Sequence, residues 1–362
     1  MTNKIELIEI KSQARYWLVR ADGGRYYDQF KYEHFISVHH NEMKVSDFYS
    51  NELLLTEAKT IQYYKEQIAN KHKNDNLSKH QITFIAKKLY NFLESMAVGD
   101  YVVVPSRHSN YFLIGQIIND VEEIENVPDL ELNHGYDRNE DLKRRAVKWI
   151  NEVPRRKFNA KFLYSTLTLH HSIIEITDYA KYIDALISPI YIKDGRINLK
   201  LNVNTEKPIN SEMWSSLYSM IEDNKTEEEI VVTSNVESPG DINLSSAIQL
   251  VNDSKILIAS GVGIIASLFG DIDYKGSKIK GLFPYLRDRK KSKLEERSLL
   301  VDVETKEKDA KLNDIKRQIE IEKSRKILQD IRDLDISIDA PNVFYENEFQ
   351  KQTDLDENLD EE

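Results

Sequence analysis

Hydrophobic periodicity centres this chain on residues 99–119. Residues 101–105, Tyr-Val-Val-Val-Pro, and residues 111–118, Tyr-Phe-Leu-Ile-Gly-Gln-Ile-Ile, are β-branched and aromatic runs bounded by turn formers, so each reads as a strand. The five residues between them, Ser106 to Asn110, suffice to close a hairpin. Gly99-Asp100 supplies the entering turn, and Pro105 ends the first strand because it cannot donate to a ladder. Gly115 interrupts the second strand, which marks a bulge or a close approach by another backbone or a ligand.

The same periodicity orders the rest. Residues 15–20 read as a strand closed by the turn Ala21-Asp22-Gly23-Gly24, and residues 35–38 as another. Residues 47–97 are largely helical: 53–67 and 82–96 form helices, Ile82, Ile85, Leu89, Phe92 and Met96 recur at steps of three and four, and a polar loop spans 70–79. After an irregular acidic connection over 121–141, Arg145, Val147 and Trp149 alternate with Ala146, Lys148 and Ile150, the period of a strand. The first domain is expected to span 1–188. A small α+β module follows over 189–254: strand 190–192, the turn Lys193-Asp194-Gly195-Arg196, the strictly alternating strand 197–203, a helix over 208–222 and a strand at 230–233.

Residues 256–270 are the most apolar run, within a connector expected to span 255–286. As a helix this run reaches ~22 Å, short of a hydrocarbon core of ~30 Å. Ala259, Gly263 and Ser267, and separately Ala266 and Gly270, recur one turn apart, as small residues do where helices approach closely. A buried core helix, an oligomer contact and membrane insertion remain open for it. Residues 287–334 read as a long charged helix with a drifting apolar stripe (Leu312, Ile315, Ile319, Ile327, Ile331, Leu334), suited to self-association as a coiled coil or to packing on its own domain. Residues 335–362 form an acidic tail expected to be disordered.

Composition narrows the chemistry. The chain has no cysteine, which removes disulfides, thiolate metal sites and cysteine nucleophiles. Its start carries no apolar stretch of signal-peptide length, so a cytoplasmic protein is expected, peripheral to the inner membrane should 256–270 insert. The formal charge is −11, but from Asp333 onward eleven acidic residues face one lysine, and the remainder is close to neutral. Within that remainder Lys143, Arg144, Arg145, Lys148, Arg155, Arg156, Lys157 and Lys161 stand against Glu152 alone, either a phosphate-binding patch or a solvated face.

Four groups of residues carry a resemblance: Tyr16-Trp17-Leu18-Val19-Arg20-Ala21-x-Gly-Gly; Met96-x-x-Gly99-Asp100-x-Val-Val-x-Pro105; Tyr111-x-x-Ile114-Gly115-x-Ile117; and Arg145-x-Val147-x-Trp149. In order and spacing they resemble the PUA-like group that includes EVE, ASCH and YTH domains, most of all the version at the amino end of Mrr-type restriction and other bacterial defence proteins. The resemblance covers about residues 14–188 and implies an α+β fold: a small bent β-barrel with helices packed on it. It implies as ligand a flipped or unpaired base, often modified, held by aromatic faces while cations hold the backbone. Trp17, Tyr26, Tyr111 and Trp149 are candidates for the pocket; Lys143, Arg144, Arg145, Lys148, Arg155, Arg156 and Lys157 are candidates for the backbone. Each ring has a second reading as core, and the acidic segment 121–141 would repel phosphate if it lay near the basic residues.

No catalytic constellation emerges. His39-His40 and His170-His171 are adjacent pairs, and neighbours on a strand point to opposite faces. Asp271-x-Asp273-Tyr274-Lys275 is the nearest fragment to a nuclease motif, but it lacks an upstream acidic partner. Phosphate loops and nucleophile elbows are absent. The expectation is therefore a non-catalytic, cofactor-free antiviral defence component that binds nucleic acid, DNA before RNA, and forms a homo-oligomer or engages a partner protein through its carboxyl half. A membrane-acting effector and a purely structural interaction protein are the alternatives.

Overall fold

The computed structural model describes residues 4–48, 56–127, 136–167, 171–206, 209–223, 230–234, 240–247, 271–274, 277–279, 326–327, 329–330 and 333–338. Two short strands open the chain, β1 (Lys4–Glu6) and β2 (Ile8–Glu9). They belong to the carboxyl half: the chain divides into a unit built on residues 13–187 and a second that joins the first twelve residues to residues 188–340. An amino-terminal domain beginning at residue 1 is corrected accordingly.

The 13–187 unit runs β3 (Tyr16–Val19), α1 (Tyr27–Tyr32), β4 (Phe35–Val38), α2 (Glu57–Lys71), α3 (Lys79–Tyr90), β5 (Tyr101–Pro105), β6 (Tyr111–Ile117), β7 (Glu122–Glu123), β8 (Lys143–Pro154), α4 (Ala160–Leu167), β9 (Ile173–Glu175) and α5 (Ala180–Ile187). Its strands form one mixed sheet in the order β4-β8-β6-β5-β3-β9, with β7 added to β8. The pair β3–β5 is parallel and the others are antiparallel. The result is α+β, a sheet curled strongly into a half-barrel.

The curl has a source in β8. Over Lys143–Ala146 this strand pairs with β4, and over Val147–Pro154 with β6. Between Ile114 and Gly115 the register shifts: Ile114 faces Asn151 and Gly115 faces Trp149, which leaves Ile150 as the extra residue of a bulge. A bulge bends its strand and raises the local twist. The close approach expected at Gly115 is made by side chains of β8, since a Cβ there would lie 2.5 Å from both Trp149 Cε3 and Val147 Cγ1.

Against this sheet pack Ile61, Tyr64 and Ile68 of α2 and Ala86 and Leu89 of α3, in one cluster with Trp17, Val102, Val104, Leu113, Val147 and Trp149. Ser78 caps α3 in a capping box with Gln81, so the helix starts three residues before the first apolar position of the stripe. Beyond Tyr90 it loosens into a wider turn over Asn91–Ser95, where Phe92 is buried. The other sheet face is covered too: Tyr16 stacks on Tyr101 at 5.3 Å, and its hydroxyl donates to Asp184 of α5.

In the second unit β10 (Ile190–Lys193) and β11 (Arg196–Val203) form a hairpin whose turn residues Asp194 and Gly195 have φ of 52° and 69°. Two positive φ values suit an Asp-Gly turn matched to strand twist. Helix α6 (Ser211–Asp223) follows, then β12 (Val231–Ser234) and β13 (Gly240–Ala247), giving the order β12-β13-β11-β10-β2. Leu199, Leu201 and Val203, the inward half of the alternating strand, join Leu7, Leu217, Ile221, Ile242 and Leu334 in its core. A separate three-stranded sheet joins β1 in parallel to β14 (Asp271–Tyr274), itself antiparallel to β15 (Ser277–Ile279). Finally β16 (Ile336–Ser337) pairs with the end of β11.

The apolar run 256–270, with Ala259, Gly263, Ser267 and Gly270, lies outside the described residues, as do most of the charged segment 287–334 and the acidic tail beyond residue 338. Among the described residues no helix is long and apolar enough to cross a membrane.

Replacing Gly115 with Ala drives a methyl into the Trp149 ring. The variant should lose ~1–3 kcal/mol of stability, read as a lower denaturant midpoint with an unchanged m-value. Gly195→Ala, where nothing lies within 4 Å of the added carbon, should lose only the ~1 kcal/mol of left-handed strain.

Candidate nucleic-acid interface

Strand alternation sorts the basic residues of β8 into two groups. Lys143, Arg145, Val147 and Trp149 point inward, and Arg144 and Lys148 lie on the other side. Lys143 is wholly buried and donates to the carbonyls of His40 (2.7 Å) and Met43 (2.8 Å). Arg145 is equally buried and donates to Phe92 O (2.8 Å), Leu93 O (3.2 Å) and Asn119 O (3.3 Å). Phe92 O and Leu93 O stand where α3 loosens, and carbonyls at a helix end need donors from outside the helix. Both cations clamp the fold, which corrects the expectation that they contact a nucleic-acid backbone.

Two of the four candidate rings are likewise interior. Trp17 is 1% exposed and donates its indole N–H to Asp100 Oδ2 at 2.9 Å, while Asp100 also accepts the main-chain N–H groups of Arg15 and Ala97. Trp149 is 4% exposed and donates to Phe30 O at 2.6 Å. A ring enclosed on both faces has none to offer a base, so these two positions are corrected to core. Tyr26 is half-buried against that core, with the Arg25 guanidinium 5.4 Å from its ring centroid. Burial raises its hydroxyl pKa above the ordinary 10.0.

Arg144 and Lys148 stand apart from the rest. Arg144 lies 4.1 Å over Phe35 and donates to the carbonyls of Asp141 and Asn139, so its guanidinium secures the 139–141 segment. The acidic strand β7 runs beside this end of β8, with Glu122 opposite Arg144 and Glu123 opposite Lys143. Lys148 is exposed in mid-strand, about 20 Å along the chain from Arg155.

At the far end of β8, roughly 35 Å along the strand from Lys143, the arrangement differs. Arg155, Arg156 and Lys157 form an exposed helical turn directly after Pro154, and Arg155 N donates to Asn110 O at 2.8 Å. Asn110 closes the β5–β6 connection, whose turn Arg107–Ser109 exposes Arg107 and His108. Tyr111, opposite Pro154, is 51% exposed. A third connection, Asp22–Gly24, packs on the second: a Cβ on Gly24 would meet Arg107 N at 2.2 Å, so only glycine, here at φ 91°, fits. Arg25 follows immediately. Three connections thus bring Arg25, Arg107, His108, Tyr111, Arg155, Arg156 and Lys157 to one end of the half-barrel. Arg107 and His108 carry no sequence signal of their own; only the hairpin register places them beside the basic turn.

A polar network secures the opposite end. Asp141 accepts from Ser37 Oγ (2.8 Å) and Asn139 Nδ2 (2.9 Å), and from His39 Nδ1 at 2.9 Å, so His39 carries its proton on Nδ1. Burial alone would raise the Asp141 pKa, but the hydrogen bonds from Asn139, His39 and Ser37 outweigh it and hold the carboxyl below its ordinary value. His40 bonds instead to Glu42 at 2.9 Å, and His72 Nδ1 to Asp75 at 2.6 Å. Among the described residues no group of three or more His, Asp or Glu is placed to hold a metal ion.

Desolvation, reinforced by Lys88 and only partly opposed by the Glu42 hydrogen bond, lowers the His40 pKa from 6.5 to about 4. A histidine whose folded pKa lies below its unfolded value is favoured in the neutral form. Its contribution is complete above pH 6.5 and is lost as pH falls toward about 4. Asp141, also depressed, loses its contribution only at lower pH. Discounted for the water that still screens this partly exposed ring, stability should therefore fall by on the order of 1–2 kcal/mol between pH 6.5 and 4. Asn suits the φ of 90° at position 40, so His40→Asn should flatten that segment of the profile in urea unfolding at stepped pH.

No family model, no curated protein and no solved structure matches this chain.

Proposed function

We propose that the 13–187 unit is a nucleic-acid-binding unit of the PUA-like kind, which grips the sugar–phosphate backbone with Arg155, Arg156, Lys157 and Arg107 and stacks a base on Tyr111. One observation carries the proposal: three separate connections converge to set six exposed cationic or titratable side chains at the end of the half-barrel that carries one half-exposed tyrosine. Stacking on an open aromatic face is worth ~1–3 kcal/mol per base, and each cation on a phosphate adds a salt-sensitive increment. The unit works by binding alone, with DNA preferred over RNA on the strength of the resemblance to Mrr-type proteins. Its carboxyl half assembles copies of the chain or engages a partner within a defence system.

Arg144 and Arg145 are poor probes of this idea, since both hold main-chain carbonyls. The informative variant replaces Arg155, Arg156 and Lys157 together with Glu. All three side chains are exposed, so the fold should survive. Binding of a fluorescent single-stranded oligonucleotide at moderate salt should weaken at least about 100-fold, and the slope of log K against log salt should shrink by about 2–3. Unchanged affinity in this variant removes the end of the half-barrel from any role with nucleic acid.

A further inference from the structure

A second aromatic platform lies on α1. Tyr32, the last residue of that helix, is 52% exposed and stacks on Tyr136, with ring centroids 6.0 Å apart and planes 17° from parallel. Tyr136 is fixed from below, its hydroxyl donating to Glu33 at 3.0 Å. The Lys31 ammonium stands 5.6 Å from the Tyr32 centroid. An exposed tyrosine held flat by a second ring is an unusual use of apolar surface, because the stack presents one aromatic face to water in a fixed orientation.

A run of side chains joins this platform to Tyr111. Glu152, two residues before the Pro154 that faces Tyr111, accepts from Tyr27 Oη at 2.8 Å and from Lys31 Nζ at 2.9 Å. Lys31 then reaches the Tyr32 ring. The path runs two strand residues, about 7 Å, from Pro154 to Glu152 and then through Lys31 to the Tyr32 ring. The intervening charges are internally compensated, Lys31 by Glu152 and Arg25 by Asp137 at 3.2 Å, so this stretch neither attracts nor repels phosphate strongly.

Building on the binding function proposed above, we infer that the ligand is single-stranded and extended, with one unpaired base on Tyr111 beside the cationic turn and a second, several nucleotides along, on Tyr32. Duplex DNA keeps its bases stacked on each other and cannot occupy two separated rings. The Tyr32 contribution is stacking rather than charge, so it is insensitive to salt.

The test uses the full-length protein and fluorescent oligothymidylates of about 2 nucleotides, too short to bridge the two rings, and about 15 nucleotides. Tyr32→Ala should weaken the longer strand about tenfold, leave the shorter unchanged, and leave the salt slope as in the parent; Tyr32→Phe, which keeps the ring, should bind as the parent does. Parental affinity of Tyr32→Ala for the longer strand overturns the second platform, even where the Arg155, Arg156 and Lys157 reversal abolishes binding. Equal affinity for a duplex of the same length overturns the single-stranded assignment. If the charge reversal changes neither oligonucleotide, the binding function itself is lost, an outcome separate from the other two.

Discussion

Two buried cations organise this half-barrel. Moving an ammonium and a guanidinium out of water costs several kcal/mol each unless their donors are met. The fold meets them with main-chain carbonyls: those of His40 and Met43 for Lys143, and those of Phe92, Leu93 and Asn119 for Arg145. The bargain is mutual at the loosened end of α3, where the carbonyls of Phe92 and Leu93 need donors from outside the helix; in the loop after β4, His40 O accepts from Met43 N at 3.0 Å as well as from Lys143. Each cation thereby ties β8 to an element far away in sequence. With both ties made, Val147 and Trp149 fall onto the same inner face, and Gly115 must be bare to admit the Trp149 ring. The bulge, the bend of β8 and the place where its far end emerges follow from that seating.

The same strand separates two electrostatic environments. Beside Lys143 and Arg144 runs the acidic strand β7, with Ser37, His39, Asn139 and Asp141 tied together in a dense polar network. Phosphate would meet carboxylates there. Beside Pro154 the neighbours are the turns 107–109 and 22–24, which bring cations and one exposed ring. Measured along the bent strand roughly 35 Å separates the two ends, although Asp137 of the acidic segment reaches Arg25 at 3.2 Å. A net charge taken over residues 143–161 averages these environments and hides both.

How much of this was written in the sequence depends on the range of the interaction concerned. The hairpin 101–117, the bulge at Gly115, the Asp-Gly turn at 194–195 and the alternating strand 196–203 rest on local geometry, and local patterns announced them. The period of two over residues 143–150 was equally legible, and it already placed Arg145 on the face of Val147 and Trp149. What it could not supply was a reason for a cation to sit inside, because the carbonyls that satisfy Arg145 come from residues 26 to 53 positions away. Trp17 hid for the same reason: its partner Asp100 lies 83 residues on, so its local context suited a pocket as well as a core. The transfer of β1 and β2 to the carboxyl-half unit is likewise a long-range pairing, Ile8 beside Tyr191, that no local pattern encodes.

The corrected positions of Trp17 and Trp149 also change the character of the binding function proposed for this unit. A base enclosed between two indoles would be read on its edges, since an enclosed ring must satisfy every polar atom it buries. A base laid on Tyr111 keeps one face and most of its edge in water, and every base has a face to offer. Open stacking is therefore tolerant of sequence, and the discrimination available to such a surface lies in whether bases are unpaired rather than in which bases they are. The glycine at position 24 lets the first connection pack directly on the main chain of Ser106 and Arg107, where a side chain would not fit. Affinity for exposed single strands requires an open ring face with cations near it, which Tyr111 and the basic turn after Pro154 supply.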